Sequence, residues 1–152
     1  MKRDTRLSAM LHLLLHMAAR DGPVTSDELA RYMDGNAAAV RRAMAGLRGA
    51  GIVRSGKGHG GGWTLGRSLS AITLADVHEA LGAPGLFAIG SRSPDPTCLV
   101  EQAVNASMQE TLSEAERLVR ARLRSITLAS IDADFRARLA QHPHARKELH
   151  HV

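Results

Sequence analysis

A single apolar stripe governs what this chain can fold into. Val100, Val104, Met108, Leu112, Ala115, Val119, Leu123 and Ile126 step by threes and fours, which places them along one face of a helix. The spacing predicts one long helix from about Cys98 to Ser125, with Thr97 as its N-cap. At 1.5 Å per residue its seam runs to about 40 Å. The small body that precedes it cannot cover a seam of that length. The economical cover is a second copy of the chain, so these residues are expected to form a homodimer interface. The competing arrangement packs the stripe only on the first helix of its own chain. Leu128-Ala129-Ser130-Ile131 and a short helix near Asp132–Ala140 follow, and His142, His144, His150 and His151 fall in a tail expected to be solvated rather than chelating.

Ahead of the stripe the punctuation is dense. Leu7, Met10, Leu11, Leu14, Leu15 and Ala18 share a helix face, and Gly22-Pro23 ends that helix. Thr25-Ser26-Asp27-Glu28 reads as a capping box opening a short helix with Leu29, Ala30 and Met33 inward. Asp34-Gly35 signals a turn, and Asn36 can cap a third helix that runs to about Ala50. Its inward face is Val40, Ala43, Met44 and Leu47; Ala37, Ala38, Arg41, Arg42, Ala45 and Arg48 face outward. Ile52–Ser55 and Trp63–Leu65 form a hairpin around the glycine-rich run Gly56 to Gly62. Thr73 then caps a helix to about Leu81, with Leu74, Val77, Ala80 and Leu81 inward and Asp76 three residues after the cap. The expected fold is mostly α with a small β-hairpin wing. It divides into a winged helix-turn-helix domain (1–81), a loop (82–97), a long dimerisation helix with a C-terminal helix (98–141) and a tail (142–152).

Charge selects a partner for this order of elements. Residues 1–67 hold 11 Lys+Arg against 5 Asp+Glu, whereas residues 68–152 hold 9 against 10. No acidic residue occurs between Asp34 and Asp76, a window that contains Arg41, Arg42, Arg48, Arg54, Lys57 and Arg67. A polyanion meets no side-chain repulsion there. A helix fits the major groove, and the small Ala37 and Ala38 let its backbone approach the bases while Arg41 and Arg42 reach past them. Arg bidentate to guanine O6 and N7 is worth about 1–3 kcal/mol of discrimination. Lys57 and His59 belong to the slim hairpin tip, and Ser26, Asn36, Arg48, Arg54, Ser55 and Arg67 complete the expected DNA-facing set.

Other classes fit less well. Gly56, Gly58 and Gly61 match the dinucleotide fingerprint, but Gly62-Trp63-Thr64-Leu65-Gly66 after them is poor helix sequence, and no Gly-Lys-Ser/Thr P-loop is present. An RNA-binding or protein-interaction module would use the same basic surface, yet Tyr32, Trp63, Phe87 and Phe135 are scattered. No nucleophile–base constellation marks an enzyme. No apolar run reaches the length of a membrane span, no signal-peptide pattern is seen, and one cysteine excludes an internal disulfide framework. A reducing cytoplasm is the expected setting, with no cofactor and no bound metal.

The run Leu47-Arg48-Gly49-Ala50-Gly51-Ile52-Val53-Arg54-Ser55-Gly56-Lys57-Gly58-His59-Gly60-Gly61-Gly62-Trp63-Thr64-Leu65, followed by Ile72-Thr73-Leu74-Ala75-Asp76-Val77, closely resembles the Rrf-two family of bacterial winged-helix transcription regulators. The resemblance extends over nearly the whole chain. It implies sequence-specific DNA binding, a long helix that crosses its partner in a dimer, recognition-helix positions at Asn36, Ala38, Arg41 and Arg42, and a basic wing-tip position at Lys57. A bound dimer occluding a promoter makes repression the expected outcome, with an unidentified signal acting near the Gly82–Pro96 loop. Cluster-binding members of the family carry three cysteines between the fourth helix and the long helix, and this chain has only Cys98. Two alternatives stay open. Cys98, beside a helix N-terminus, is a candidate redox sensor because that position favours the thiolate. A few family members supply a carboxylate or His from the first helix, so a metal-responsive site joining His12 and Cys98 is the other; the plain expectation for His12 and His16 is a partly buried pair.

Overall fold

The computed structural model describes residues 4–32, 37–91 and 93–141. Met33, the Asp34-Gly35 turn, the Asn36 cap and the histidines of the tail lie outside the described residues. Among the described residues six helices and one hairpin follow in order: α1 (Arg6–Ala18), α2 (Ser26–Arg31), α3 (Ala37–Gly49), β1 (Val53–Ser55), β2 (Trp63–Leu65), α4 (Leu74–Ala80), α5 (Leu99–Ser125) and α6 (Leu128–Gln141). A short 3-10 turn, Leu69–Ala71, links β2 to α4.

At α2 and α4 the local chemistry expected of the caps is present. Thr25 accepts from the Glu28 amide while Glu28 accepts from the Thr25 amide, and Thr73 and Asp76 do the same at α4. Each pair satisfies two otherwise unpartnered amides. The strands pair antiparallel with Val53 opposite Leu65, Arg54 opposite Thr64 and Ser55 opposite Trp63. Val24 adds a bridge to Trp63, its amide donating to the Trp63 carbonyl at 3.0 Å and its carbonyl accepting from the Trp63 amide at 2.8 Å. Gly62 follows from that bridge: at φ 156° a Cβ here would meet the Val24 carbonyl oxygen at 2.8 Å.

The core is aliphatic. Met10, Leu13, Leu14, Leu29, Val40, Met44, Leu47, Ile52, Ile72, Val77 and Leu128 are fully enclosed. On α1 the buried face is Met10, Leu13, Leu14 and Met17, rotated from the expected one; Leu15 and Ala18 are only half-buried. Both faces of that helix are leucine-rich, so periodicity alone did not choose between them. On α4 the buried residues are Ala75, Val77 and His78, not Leu74. His78 is enclosed because its Nε2 bonds the Pro84 carbonyl at 3.0 Å, which replaces the lost water and fixes the start of the 82–97 loop. The packing of α3 on α4 is close enough that a Cβ on Gly46 would lie 2.3 Å from the Ala80 carbonyl oxygen.

The C-terminal part differs from expectation in three respects. Cys98, not Thr97, is the N-cap of α5. Ile126 is not part of the helical seam but an extended residue beyond its end, whose carbonyl accepts from the Leu74 amide at 3.0 Å. The last helix begins at Leu128, four residues before the expected start near Asp132. A short antiparallel stitch explains both latter changes: Thr73 bridges Thr127, and the Leu128 amide donates to the Ile72 carbonyl at 2.9 Å. It carries the Leu128 side chain into the core that α1 to α4 and the hairpin build, where it is fully buried.

Helix α5 has no buried residue along its 27 residues. Its principal neighbour is α4, not α1. The stripe divides: Met108, Leu112, Ala115 and Leu123 are half-covered by their own chain, whereas Val100, Val104 and Val119 are exposed. Leu99 and Leu118, outside the expected stripe, are 78% and 57% exposed.

Candidate nucleic-acid interface

Helix α3 buries Val40, Met44 and Leu47 and turns the opposite face outward. At 3.6 residues per turn, Arg41 and Arg48 fall on one flank, and Arg42, about 100° beyond Arg41, points away from the buried face. Arg48 identifies that flank as the wing side. Its Nη1 donates to Ser55 Oγ at 3.3 Å, and its guanidinium lies 6.0 Å from the Trp63 ring centroid. The Trp63 indole N–H in turn donates to Ser26 Oγ at 2.9 Å. Ser26 on α2, Arg48 on α3 and Ser55 on β1 are therefore joined through Trp63, which fixes the wing against the two helices of the helix-turn-helix. That role of Trp63 was missed in the sequence. Its only signal was an indole directly after a glycine run, where a buried N–H needs a partner.

The remaining basic residues fall into two groups. Arg41, Arg42, Arg54, Lys57 and His59 are exposed, and among the described residues none has an acidic partner. Lys57 and His59 stand in the loop between β1 and β2, which is closed by Gly56 N–H to the Gly62 carbonyl at 2.8 Å and Gly61 N–H to the Gly58 carbonyl at 3.0 Å. Arg67, by contrast, is turned toward α4. Its Nη2 bonds the Ala71 carbonyl and lies 3.5 Å from the Asp76 carboxylate. Ala38 is exposed, whereas Ala37 is half-covered and packs against the core. Asn36 lies outside the described residues.

Cys98 and the histidines are placed apart from this surface. The Cys98 thiol is exposed at the N-cap of α5, and the Val100 and Glu101 amides lower its pKa from the ordinary 9.0, Glu101 the more. On α1, His12 Nε2 and His16 Nε2 are 2.8 Å apart, and the His16 ring stacks on Tyr32 at 4.4 Å. Burial first, then the neighbouring His12 and Arg20 charges, hold His16 below its usual 6.5.

An amphipathic helix-turn-helix stapled to a β-wing, with unpaired guanidinium groups on its outer helix, defines a winged helix-turn-helix DNA-binding protein. A family model described as "Rrf2: Iron-dependent Transcriptional regulator" matches residues 3–134, and the chain belongs to that family. It is a DNA-binding transcriptional regulator and not an enzyme. YwnA of Bacillus subtilis (strain 168), whose name describes an HTH-type transcriptional regulator, is 27% identical over 129 residues, covering 84% of this chain and 95% of YwnA. ORF2 of Azotobacter vinelandii, named for the same class, is 36% identical over 75 residues; that match takes in 49% of this chain and 44% of the length of ORF2. The crystal structure of a transcriptional regulator from Lactobacillus plantarum superposes with a TM-score of 0.73 at 22% identity, over 96% of this chain and 99% of that one.

The family description mentions iron, and the donors present here do not fit an iron centre held by one chain. Among the described residues no three His, Cys, Asp or Glu side chains converge, and the sequence has a single thiolate donor. No helix among the described residues is long and apolar enough to cross a membrane.

Proposed function

We propose that this regulator binds a two-fold-related operator as a homodimer and represses transcription in the cytoplasm. Arg41 and Arg42 on α3 read bases, Lys57 at the wing contacts the backbone, and Arg54 binds phosphate nearby. The observation that carries this reading is the pair of exposed guanidinium groups on α3, Arg41 and Arg42, without an acidic partner among the described residues, in a segment without a carboxylate from residue 35 to residue 75. Ser26, Arg48 and Ser55 serve the interface by holding the wing, and Arg67 reaches phosphate only by leaving Asp76. The dimer is supported by the exposed Val100, Val104, Leu118 and Val119 along α5. An apolar row on a helix with no buried residue is the pattern of an interface between copies.

The test is selection of bound sequences from random duplex DNA, followed by two variants. Arg41→Ala flattens the discrimination between the selected site and random DNA; an unchanged ratio removes Arg41 from base reading. Lys57→Ala weakens binding evenly on all sequences and makes the salt slope shallower by about one for each phosphate that the side chain had neutralised. An unaltered slope places Lys57 off the DNA.

A second reading is favoured by the exposed Cys98 thiol and the amides of α5 that stabilise its thiolate. Attack of that thiolate on a peroxide, which gives the sulfenic acid and releases water or an alcohol, alters the geometry of the dimer and hence operator affinity. Alkylation at neutral pH no faster than that of free cysteine disposes of it.

A further inference from the structure

A cleft of about 360 Å³ lies on the flank of α3 that faces away from the wing. Its floor is apolar: Met10 from α1, Ala43 from α3, and Ala80 and Leu81 at the end of α4. The opening follows from side-chain size. Helices α3 and α4 meet backbone to backbone at Gly46, and one turn away the small Ala43 leaves space between α1, α3 and the end of α4. Two guanidinium groups, Arg6 and Arg42, stand over this floor. Arg6 commits Nε and Nη2 to Asp4, at 3.0 and 2.6 Å to the two carboxylate oxygens, which leaves Nη1 without a partner among the described residues. Arg42 has no ionic partner among the described residues. With Asp4 counted, the rim carries one net positive charge over a hydrocarbon floor. The volume is at the lower end of the ~300–1,000 Å³ of small-molecule sites.

We propose that this cleft binds a small amphipathic monoanion, a carboxylate with a short hydrocarbon tail. The carboxylate accepts from Arg42 and from Arg6 Nη1, and the tail lies on Met10, Ala43, Ala80 and Leu81. Charge complementarity chooses the head group, because a forked guanidinium suits a carboxylate. The apolar floor excludes an inorganic anion as the preferred occupant. Arg42 is adjacent on α3 to Arg41, and its guanidinium cannot hold the carboxylate and a DNA group together. Occupancy therefore weakens operator binding, and by linkage DNA weakens ligand binding by the same factor. The coupling half of this inference rests on α3 as the DNA-facing helix; the binding half does not.

The experiment titrates the full chain, without DNA, with hexanoate, 1-hexanol and acetate, following amide chemical shifts and heat. Hexanoate is expected to bind once per chain at least tenfold more tightly than either control. Its shifts should map to residues 6–10, 39–43 and 80–81. Arg42→Gln, and separately Ala39→Leu, which enlarges another α3 residue lining the cleft, should each weaken it at least tenfold while thermal melting shows the fold intact. Equal binding of hexanoate and hexanol, indifference to both substitutions, or shifts confined to residues outside 6–10, 39–43 and 80–81 overturn the site. Saturating hexanoate should then weaken operator binding at least tenfold in the parent chain and not in Ala39→Leu. Ligand binding without that effect overturns the coupling. Failure to bind DNA in the absence of hexanoate instead overturns the reading of α3.

Discussion

Single side chains decide where this molecule is rigid. Trp63 spans the wing, α2 and α3 through one indole N–H and one ring face. Trp63→Phe keeps most of the packing and deletes the bond to Ser26, so chemical denaturation should show a loss of about 1 kcal/mol, with operator affinity falling as the wing loosens. His16 gives the chain a sensitivity to mild acid. The folded state holds its pKa below 6.5. As the pH drops through 6.5 the unfolded chain takes up a proton that the folded chain resists, and stability falls until the folded pKa is passed. Asp4, held at about 2 by the Arg6 guanidinium and amide, and Glu28, lowered by the Thr25 amide and hydroxyl, act in the opposite sense of charge and at lower pH. Their contribution is present above their unfolded values of 3.8 and 4.5 and is lost below them. Melting temperatures at pH 7 and pH 5 separate the two effects: the parent chain should lose more than His16→Gln over that interval, and equal losses would absolve His16.

Elements meet through small residues and reciprocal caps. Gly46→Ala places a methyl against the Ala80 carbonyl and forces α3 from α4, a cost of about 1–3 kcal/mol by the general penalty for overpacking. The same change on an open helix would stabilise, so an increase in melting temperature would show that the two helices are not in close contact. Thr73→Ala removes the cap of α4 and should cost about 1 kcal/mol in a denaturation curve. The capping boxes of α2 and α4 were legible in the sequence because they are local: four consecutive residues contain both partners. So were α2, α3, the hairpin and the basic outer face, where glycine, capping and charge signals agree. The rest depended on distant groups. The α1 face was ambiguous because Leu11 and Leu15 look as apolar as Leu13 and Met17. The partners of Arg48, Arg67 and Trp63 lie on other elements, and no spacing rule pairs residue 26 with residue 63. The early start of α6 was hidden because its first turn is specified by a stitch to residues 72–74, not by its own periodicity.

For the molecule as a whole, α5 is the exposed spar. A charge at Val104 or Leu118 leaves the core of one chain untouched, so Val104→Glu or Leu118→Glu should shift sedimentation toward the single-chain mass without lowering helical content; an unchanged mass would move the pairing surface elsewhere. The return of the chain at Thr127 and Leu128 matters at this scale too, since the N-terminal core borrows a side chain from beyond the spar. Leu128→Ala should cost about 2–5 kcal/mol, as a truncation in a closed core does. The segments before residue 81 and after residue 98 thus share one core. A protease that nicks the exposed stretch around Gly90 would yield two fragments in a denaturing gel. In native buffer they would elute together, clasped by the later piece gripping the earlier one, and the severed molecule would still recognise its operator.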